Sequence, residues 1–542
     1  MKKIYLYMAI LSSAIMLWSC ENDFDPKIYG TLNPTNYPST AAEYESFMMI
    51  GYLPFGTTNV YYMGGGYNSF SWYIPPGGTF RMFDQTSDNT APWEYGWGSG
   101  WLLLSRADFS QCVFNGRGLS DSSPNQFTKI AEVSYLTYVI GVLEKAPEEI
   151  LPTEKKNALL GEARLLRGIM AYYLLHVYGP VPLIWNPDDV SVEEKLKEVE
   201  RPTLDQMTQW IYDDFDFALQ NIPETQKERG RYNRDYARVC MMRHCLNEGY
   251  HISGYYQKAI NMYNELKGKY SLFTAGANPY VDLFKVAHKF NSEIIMAISV
   301  DPNADGSAQN GNANPYAYYM IPDNATIKDD AGNNTPFFPM GAGWGQVFNI
   351  SRKFYDSFES GDKRLNAIIT RYYTNGGVWR DRNTTNWDGF IINKYPVESA
   401  TYFQGTDIPL ARWADVLLMY AEAEVRNSNS ALPTAAVTAV NDVRARAGLA
   451  ALPLSATSSK ESFLDAILAE RGHELWYEGV RKIDLIRFNR YAQEVFRKKG
   501  VRPTHQYMPL PNYAVEAAES YGKNLVQTYE REGWQADLAA AR

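Results

Sequence analysis

Residues Ser458–Arg490 read SSKESFLDAILAERGHELWYEGVRKIDLIRFNR. Phe463, Leu464, Ile467, Leu468, Leu475 and Ile483 recur at helical spacing and mark a buried stripe. Ser458 and Glu461 fit a capping box that opens the helix. Glu470, Arg471, Glu474, Glu478, Arg481, Asp484 and Arg487 lie between the apolar positions. An unpaired charge beside a buried stripe is costly. These carboxylates and guanidiniums are therefore expected to satisfy one another and to tie two helices together. A rival reading takes Glu470, Glu474 and Glu478 as acid/base catalysts on one helix face, but structural ion-pair networks imitate such clusters.

The same periodicity recurs elsewhere. In Glu162–Val177 the apolar positions Leu165, Leu166, Ile169, Met170, Tyr173, Leu174 and Val177 line one face, and Gly179-Pro180 stops the helix. Arg412–Val425 repeats the idea with Trp413, Val416, Leu417, Tyr420 and Ala421. Thr434–Ala447 follows across a short loop containing Pro433 and ends at Gly448. Two amphipathic helices joined by a short turn make an antiparallel hairpin, the unit of tetratricopeptide-like arrays, although no clean repeat length is present. The scaffold is expected to be all-α, built of such hairpins, with long irregular loops and a few short strands.

The run ERGHELWYEGVRKIDLIRF resembles the signature of the SusD/RagB family, outer-membrane nutrient-binding lipoproteins. The matching residues are Glu470-Arg471, Glu474-Leu475, Tyr477, Glu478-Gly479, Arg481, Asp484-Leu485 and Arg487. Further blocks resemble the family in the same order. They are Glu162-Ala163-Arg164 through Tyr178-Gly179-Pro180-Val181-Pro182-Leu183-Ile184, Ala237–Gly249, Asn291–Ile295, Arg412–Ala423 and Asn441–Leu449. Met508-Pro509-Leu510-Pro511 stands where the family has Pro-Ile-Pro, and Gln527-Thr528-Tyr529 is a reduced form of its C-terminal block. The resemblance implies one SusD-like domain over residues 36–542, with an aromatic-loop part at about 36–230 and a SusD/RagB part at about 280–542.

The N-terminus reads as an export signal. Lys2 and Lys3 form a basic start, and Ile4–Trp18 an apolar run too short to span a bilayer. It closes on Leu17-Trp18-Ser19-Cys20, which resembles a lipobox with Trp18 where a small residue is usual. Residues 1–19 are thus expected to be a lipoprotein signal peptide and Cys20 the lipidation site, whose acyl chains would hold the protein on a membrane. Residues 20–35, with Glu21-Asn22-Asp23-Phe24-Asp25, are similar to the acidic tether of surface lipoproteins. The remaining Cys112, Cys240 and Cys245 are too sparse for a disulfide framework, and Cys240 and Cys245 point apart on a helix. A net charge of −9 argues against nucleic acid as a partner.

Three long segments lack periodicity: residues 51–100, 301–345 and 375–406. Unstructured stretches of such length in a compact protein usually carry function. The stretch from Tyr52 to Trp101 is about twice as rich in aromatics as the 14% of the whole chain. Sugar rings present C–H faces to an aromatic plane while their hydroxyls need charged or amide partners at the edge. Candidate glycan contacts are therefore Trp72, Tyr73, Arg81, Asp84, Trp93 and Tyr95 from the first loop, faced by Tyr318, Tyr319 and Trp344 if the loops converge. Any one of these aromatics has a bland alternative as a core residue, and Trp97 and Trp101 are read as core.

No metal or cofactor is expected. His244, Glu248 and His251 could share a helix face, but Gly249 is read as ending the helix before His251. Asp301–Gly306 resembles the start of a calcium loop, yet Asn312 stands where a bidentate Glu is needed.

The family resemblance implies a cell-surface lipoprotein that captures an oligosaccharide without chemistry and passes it to a TonB-dependent β-barrel transporter of the SusC type in the outer membrane. Two rivals are the same architecture binding peptides, and a glycan hydrolase using two carboxylates about 5–10 Å apart.

Overall fold

The computed structural model describes residues 37–57, 70–75, 77–91, 99–110, 126–301, 314–326, 328, 331–333, 348–384, 387, 389–398, 404–429 and 431–542. Contacts separate the chain into two units, Met1–Phe47 and Met48–Arg542. In the first, the Glu43 carboxylate accepts from the backbone N–H groups of Ser39 and Thr40 at 2.7 and 3.0 Å, fixing the entry to a helix that begins at Ala41. Cys20 and Cys112 lie outside the described residues, as does all of the calcium-like run except Asp301.

The second unit is mostly helical. Helices α1 (Lys129–Glu144) and α2 (Thr153–Tyr178) pack as the first hairpin. Helix α3 (Leu204–Asn221) lies along α2, α4 (Arg234–Glu248) on α3, and α5 (Tyr255–Leu266) on α4. Side-chain caps set two of these starts: Thr203 accepts from the Gln206 N–H and Asn233 from the Tyr236 N–H, each satisfying an orphan donor. Helix α2 starts at Thr153, well before the Glu162 expected from its apolar spacing, because its first turns are polar on the outside. It ends where expected, at Gly179, whose φ of +75° favours glycine.

The approach of α3 to α2 depends on Gly168, where a Cβ would come within 2.7 Å of the Phe215 ring. Beside it Arg167 and Asp214 form a buried bidentate pair, Nε–Oδ2 2.8 Å and Nη2–Oδ1 2.9 Å. Small residue and ion pair together lock this helix contact.

Further along, strand β1 (Ile294–Ile298) pairs antiparallel with β2 (Ile408–Arg412), with Ile298 opposite Ile408 and Ile294 opposite Arg412 and an irregularity between. Strand β2 runs straight into α6 (Trp413–Asn427), so Arg412 closes a ladder and stands at the N-cap position of a helix. Helix α7 (Thr434–Arg446) completes the expected hairpin, with Gly448 at φ +82° after it. Helix α6 is enclosed by α5, α7 and α8 (Lys460–Leu475), which leads to α9 (Arg481–Arg487) and α10 (Tyr491–Lys499). Among the described residues the other strands are two short antiparallel pairs within residues 368–392.

The capping box lies one residue later than expected. Ser459 Oγ accepts from the Ser462 N–H and Ser462 Oγ from the Ser459 N–H, both at 3.1 Å. Ser458 instead donates to the Ser455 carbonyl and closes the preceding turn. The chain breaks between α8 and α9 at Tyr477 and Gly479, with φ of +68° and +73°. That corner turns one sequence motif into two helices.

Candidate functional site

The glutamates of the signature block are structural: Glu470 and Glu474 lie on α8, and Glu478 lies in the corner beyond it. Arg412 reaches the buried Glu293 (2.5 Å) and Glu474 (3.0 Å) and the half-buried Glu478 (2.5 Å). Arg446 pairs with Glu293 at 2.9 Å and also with Glu474. Arg364 reaches Glu470 at 2.6 Å, and Lys394 reaches Glu478 at 2.5 Å. Although burial alone would raise their pKa values, these cations hold the Glu474 and Glu478 carboxyls below the usual range. Acids so depressed have no proton to donate near neutral pH.

The expectation that the block satisfies itself holds only for part of it. Asp484 accepts from Arg471 (2.9 Å) and Arg487 (2.7 Å). The three glutamates and Arg481 find their partners elsewhere: at Arg412 on β2, on α7, at Arg364 and Lys394, and in the first loop. Charges close in the sequence had pointed to local pairing. The break at Tyr477 turns them outward to different neighbours.

One of these neighbours is the first aromatic segment. Arg481 Nε and Nη2 hold the Asp88 carboxylate at 2.8 and 3.0 Å, and Lys498 reaches the same group at 2.5 Å. Against the burial that would raise it, Arg481 and Lys498 keep the Asp88 carboxyl far below its ordinary range. The Gly479 N–H donates to Asp84 at 2.5 Å, Tyr491 donates to the Thr86 carbonyl, and Lys499 donates to the carbonyls of Gln85 and Ser105. Phe80 meets Tyr477 edge-on at 4.1 Å. The turn at residues 80–91 is thereby held on the signature block.

The stems of the first and second of the long segments converge there. Phe80 packs edge-on against Phe348 at 4.9 Å, and the Arg81 guanidinium lies 4.6 Å over the same ring. The Ala91 N–H donates to the Asn349 carbonyl and the Ser351 N–H to the Asn89 carbonyl, both at 3.0 Å. Tyr316, on the short helix Tyr316–Met320, touches Tyr477 and Tyr395 at 5.0 and 4.9 Å. Two segments more than 200 positions apart thus rest on one base.

The predicted contacts divide. Trp72, Tyr73, Arg81 and Asp84 are 0%, 4%, 0% and 0% exposed, so their side chains belong to the packing and not to an open platform. Trp72 lies against Tyr173 at 4.9 Å with its Nε1 3.0 Å from Met170 Sδ, and Tyr73 shares a hydroxyl contact with Tyr173. Asp84 also accepts from Asn89, yet burial pushes it up to about 7. Glycine, aromatic and acid in one loop read as a sugar platform. They serve instead as the plug that fastens the loop. Tyr319 is buried too, whereas Tyr318 is half-buried and edge-on to it at 5.1 Å. Trp93, Tyr95 and Trp344 lie outside the described residues.

Among the described residues no group of three or more His, Cys, Asp and Glu side chains is arranged to hold a metal. Helix α4 ends at Glu248, and His251 sits beyond it between Asp205 and Glu248, 3.0 Å from each. His244 is buried against the Thr208 carbonyl at 3.0 Å.

A cleft of about 500 Å³ that the aromatic count overlooked opens where the chain leaves α2 and enters α3. Trp185 and Trp210 stack there at 5.4 Å with their planes 10° apart, and the Arg167 guanidinium lies 3.9 Å over Trp185. The signal was present as Trp185 just after the Gly-Pro-Val-Pro exit, but pairing it with Trp210 needs the fold.

Comparison with known proteins places the architecture. The profile of the SusD family matches residues 292–524, and a second, "Starch-binding associating with outer membrane", matches residues 123–240. The chain is similar to SusD-like protein P25 of Formosa agariphila, 23% identical over 399 residues that cover 67% of this chain and 71% of that protein. In fold it is similar to surface glycan-binding protein A from Bacteroides fluxus, with a TM-score of 0.67 at 19% identity, covering 89% of this chain and 97% of that one. It is also similar to surface glycan-binding protein A from Bacteroides thetaiotaomicron in complex with laminarihexaose, with a TM-score of 0.66 at 17% identity, covering 91% and 100%. Helical hairpins, signature block and both matched profiles agree, and the chain belongs to the SusD/RagB family.

Proposed function

We propose that this protein is a cell-surface lipoprotein, anchored through Cys20, that captures an oligosaccharide and hands it to a TonB-dependent β-barrel transporter of the SusC type. The observation that carries the reading is the convergence of the stems at residues 80–91, at Tyr316 and at 348–351 on one ion-paired base. In sequence, Trp93 and Tyr95 follow closely on the first stem and Trp344 stands four positions before Phe348. These residues and Tyr318 are assigned as sugar contacts, with Trp72, Tyr73, Arg81, Asp84 and Tyr319 as their support. The similarity to a structure titled for its laminarihexaose complex supports glycan over peptide. Binding occurs without turnover, since the buried glutamates are committed to arginines and lysine.

Calorimetry of the purified protein against a panel of oligosaccharides tests the reading, with product analysis for turnover. Binding without hydrolysis, weakened in Trp93→Ala and Trp344→Ala, is the expected result. Unchanged affinity in both variants removes the site assignment, and hydrolysis removes the binding-only function. Co-purification of a β-barrel transporter with the membrane-anchored protein checks the partner.

A further inference from the structure

We propose that the cleft at Trp185 and Trp210 is a second saccharide-binding site, separate from the loop platform and built by the scaffold itself. The inference rests on the glycan-binding function proposed above and adds a site to which the first and second long segments contribute no residue among those lining it. Its floor is rigid. Arg201 donates to the carbonyls of Tyr178 (3.0 Å), Pro180, Val526 (2.7 Å) and Gln527 (3.0 Å), joining the exit of α2 to the C-terminal segment that supplies Lys523 to the wall. Arg167, fixed by Asp214, backs the ring of Trp185, and Trp185 backs Trp210. Among the described residues no other ring or cation packs on Trp210, which remains partly exposed.

The chemistry around this stacked pair is that of a neutral polyol. Asp189, Glu198 and Glu200 are balanced by Lys195, Arg201 and Lys523, so the cleft favours neither an anion nor a cation. Lys195 and Glu198 neutralise each other at 3.1 Å. The Gln206 side chain is exposed at the edge, and Asn186 uses its oxygen to cap a short turn while its amide nitrogen stays available. An aromatic face with amides and a carboxylate at its margin is the arrangement that hexose rings stack on and bond to. The volume of about 500 Å³ falls within the range of small-ligand sites, which runs from roughly 300 to 1,000 Å³. A peptide would instead be expected to need an apolar socket or a net charge opposite to its own.

Hydrogen exchange of the purified protein with laminarihexaose, maltohexaose and xylohexaose, beside calorimetry of the same pairs, tests the cleft. Expected is protection of amides in residues 183–189 and 204–210 by a saccharide that calorimetry shows to bind. Trp210→Ala should abolish the protection and weaken this site about tenfold while the circular dichroism spectrum is unchanged. Gln206→Ala, at an exposed position outside the packing, should weaken it about threefold. Saccharide binding with neither segment protected, or with both variants indistinguishable from wild type, overturns the second site and leaves the proposed function standing. A wild-type protein that binds none of a broad glycan panel overturns both.

Discussion

Asp88 and Arg481 lie 393 positions apart in the chain and form a buried bidentate ion pair, Oδ1–Nε 2.8 Å and Oδ2–Nη2 3.0 Å. Lys498 completes the site at 2.5 Å. The loop that carries the first aromatic segment is thereby fastened to the signature block by charge as well as by packing. Asp88→Ala leaves two buried cations without their carboxylate, which costs about 3–5 kcal/mol. Chemical denaturation should show that loss, and hydrogen exchange should show residues 84–91 opening before the helices.

Glu478→Ala removes the group shared by Arg412 and Lys394, with an expected cost of about 3–5 kcal/mol. Glycan affinity of the folded fraction should persist. A normal melting temperature together with lost binding would contradict the structural role.

Trp72→Ala empties a fully buried site against Tyr173 and Met170, and should cost about 3–5 kcal/mol with any effect on glycan affinity following from the loosened loop. The comparison with Trp93→Ala separates support from contact. Trp93→Ala should lower affinity at nearly constant melting temperature.

Gly168→Ala places a methyl group within 2.7 Å of the Phe215 ring between α2 and α3, and this overpacking should cost about 1–3 kcal/mol. A melting temperature equal to wild type would show that α3 can shift without penalty.

Asp84 has a folded pKa of about 7 against an ordinary 3.8, raised by burial in spite of Asn89 and the Gly479 N–H. Between those values the folded protein keeps a proton that the unfolded chain releases, so this group's contribution falls as pH rises from about 4 to 7 and then levels. Lys499 is pushed down to about 7 from 10.5 by burial; the unfolded chain binds the extra proton above pH 7, so its contribution grows from pH 7 to about 10. Asp84→Asn should flatten the first limb of a stability–pH curve and Lys499→Met the second. An unaltered curve in Asp84→Asn would mean that its carboxyl titrates normally.

Much of the scaffold was legible in the chain. Gly179 and Gly448 stop helices where the apolar spacing ends, and Arg412–Val425 is helical nearly to its predicted limits. The capping box slipped by one residue because Ser458 and Ser459 both suit an N-cap and only the preceding turn decides between them. The site was less legible. An aromatic residue beside glycines and acids suits a sugar platform and a buried plug equally, since both demand large rings with polar groups at their edges. The stacking of Trp185 on Trp210 is not legible in the chain, because it requires the segment after α2 to fold back against α3.

By itself the sequence determined the helices, their stops and the family, because amphipathic period, caps and positive-φ glycines act over a few residues and survive in any tertiary setting. Only the tertiary structure decided that Glu474 answers to Arg412 and Arg446, that Asp88 answers to Arg481, and that Trp72 faces inward. A charge or an aromatic ring takes its role from whatever the fold brings within a few ångströms of it, and here those neighbours come from parts of the chain far away in sequence.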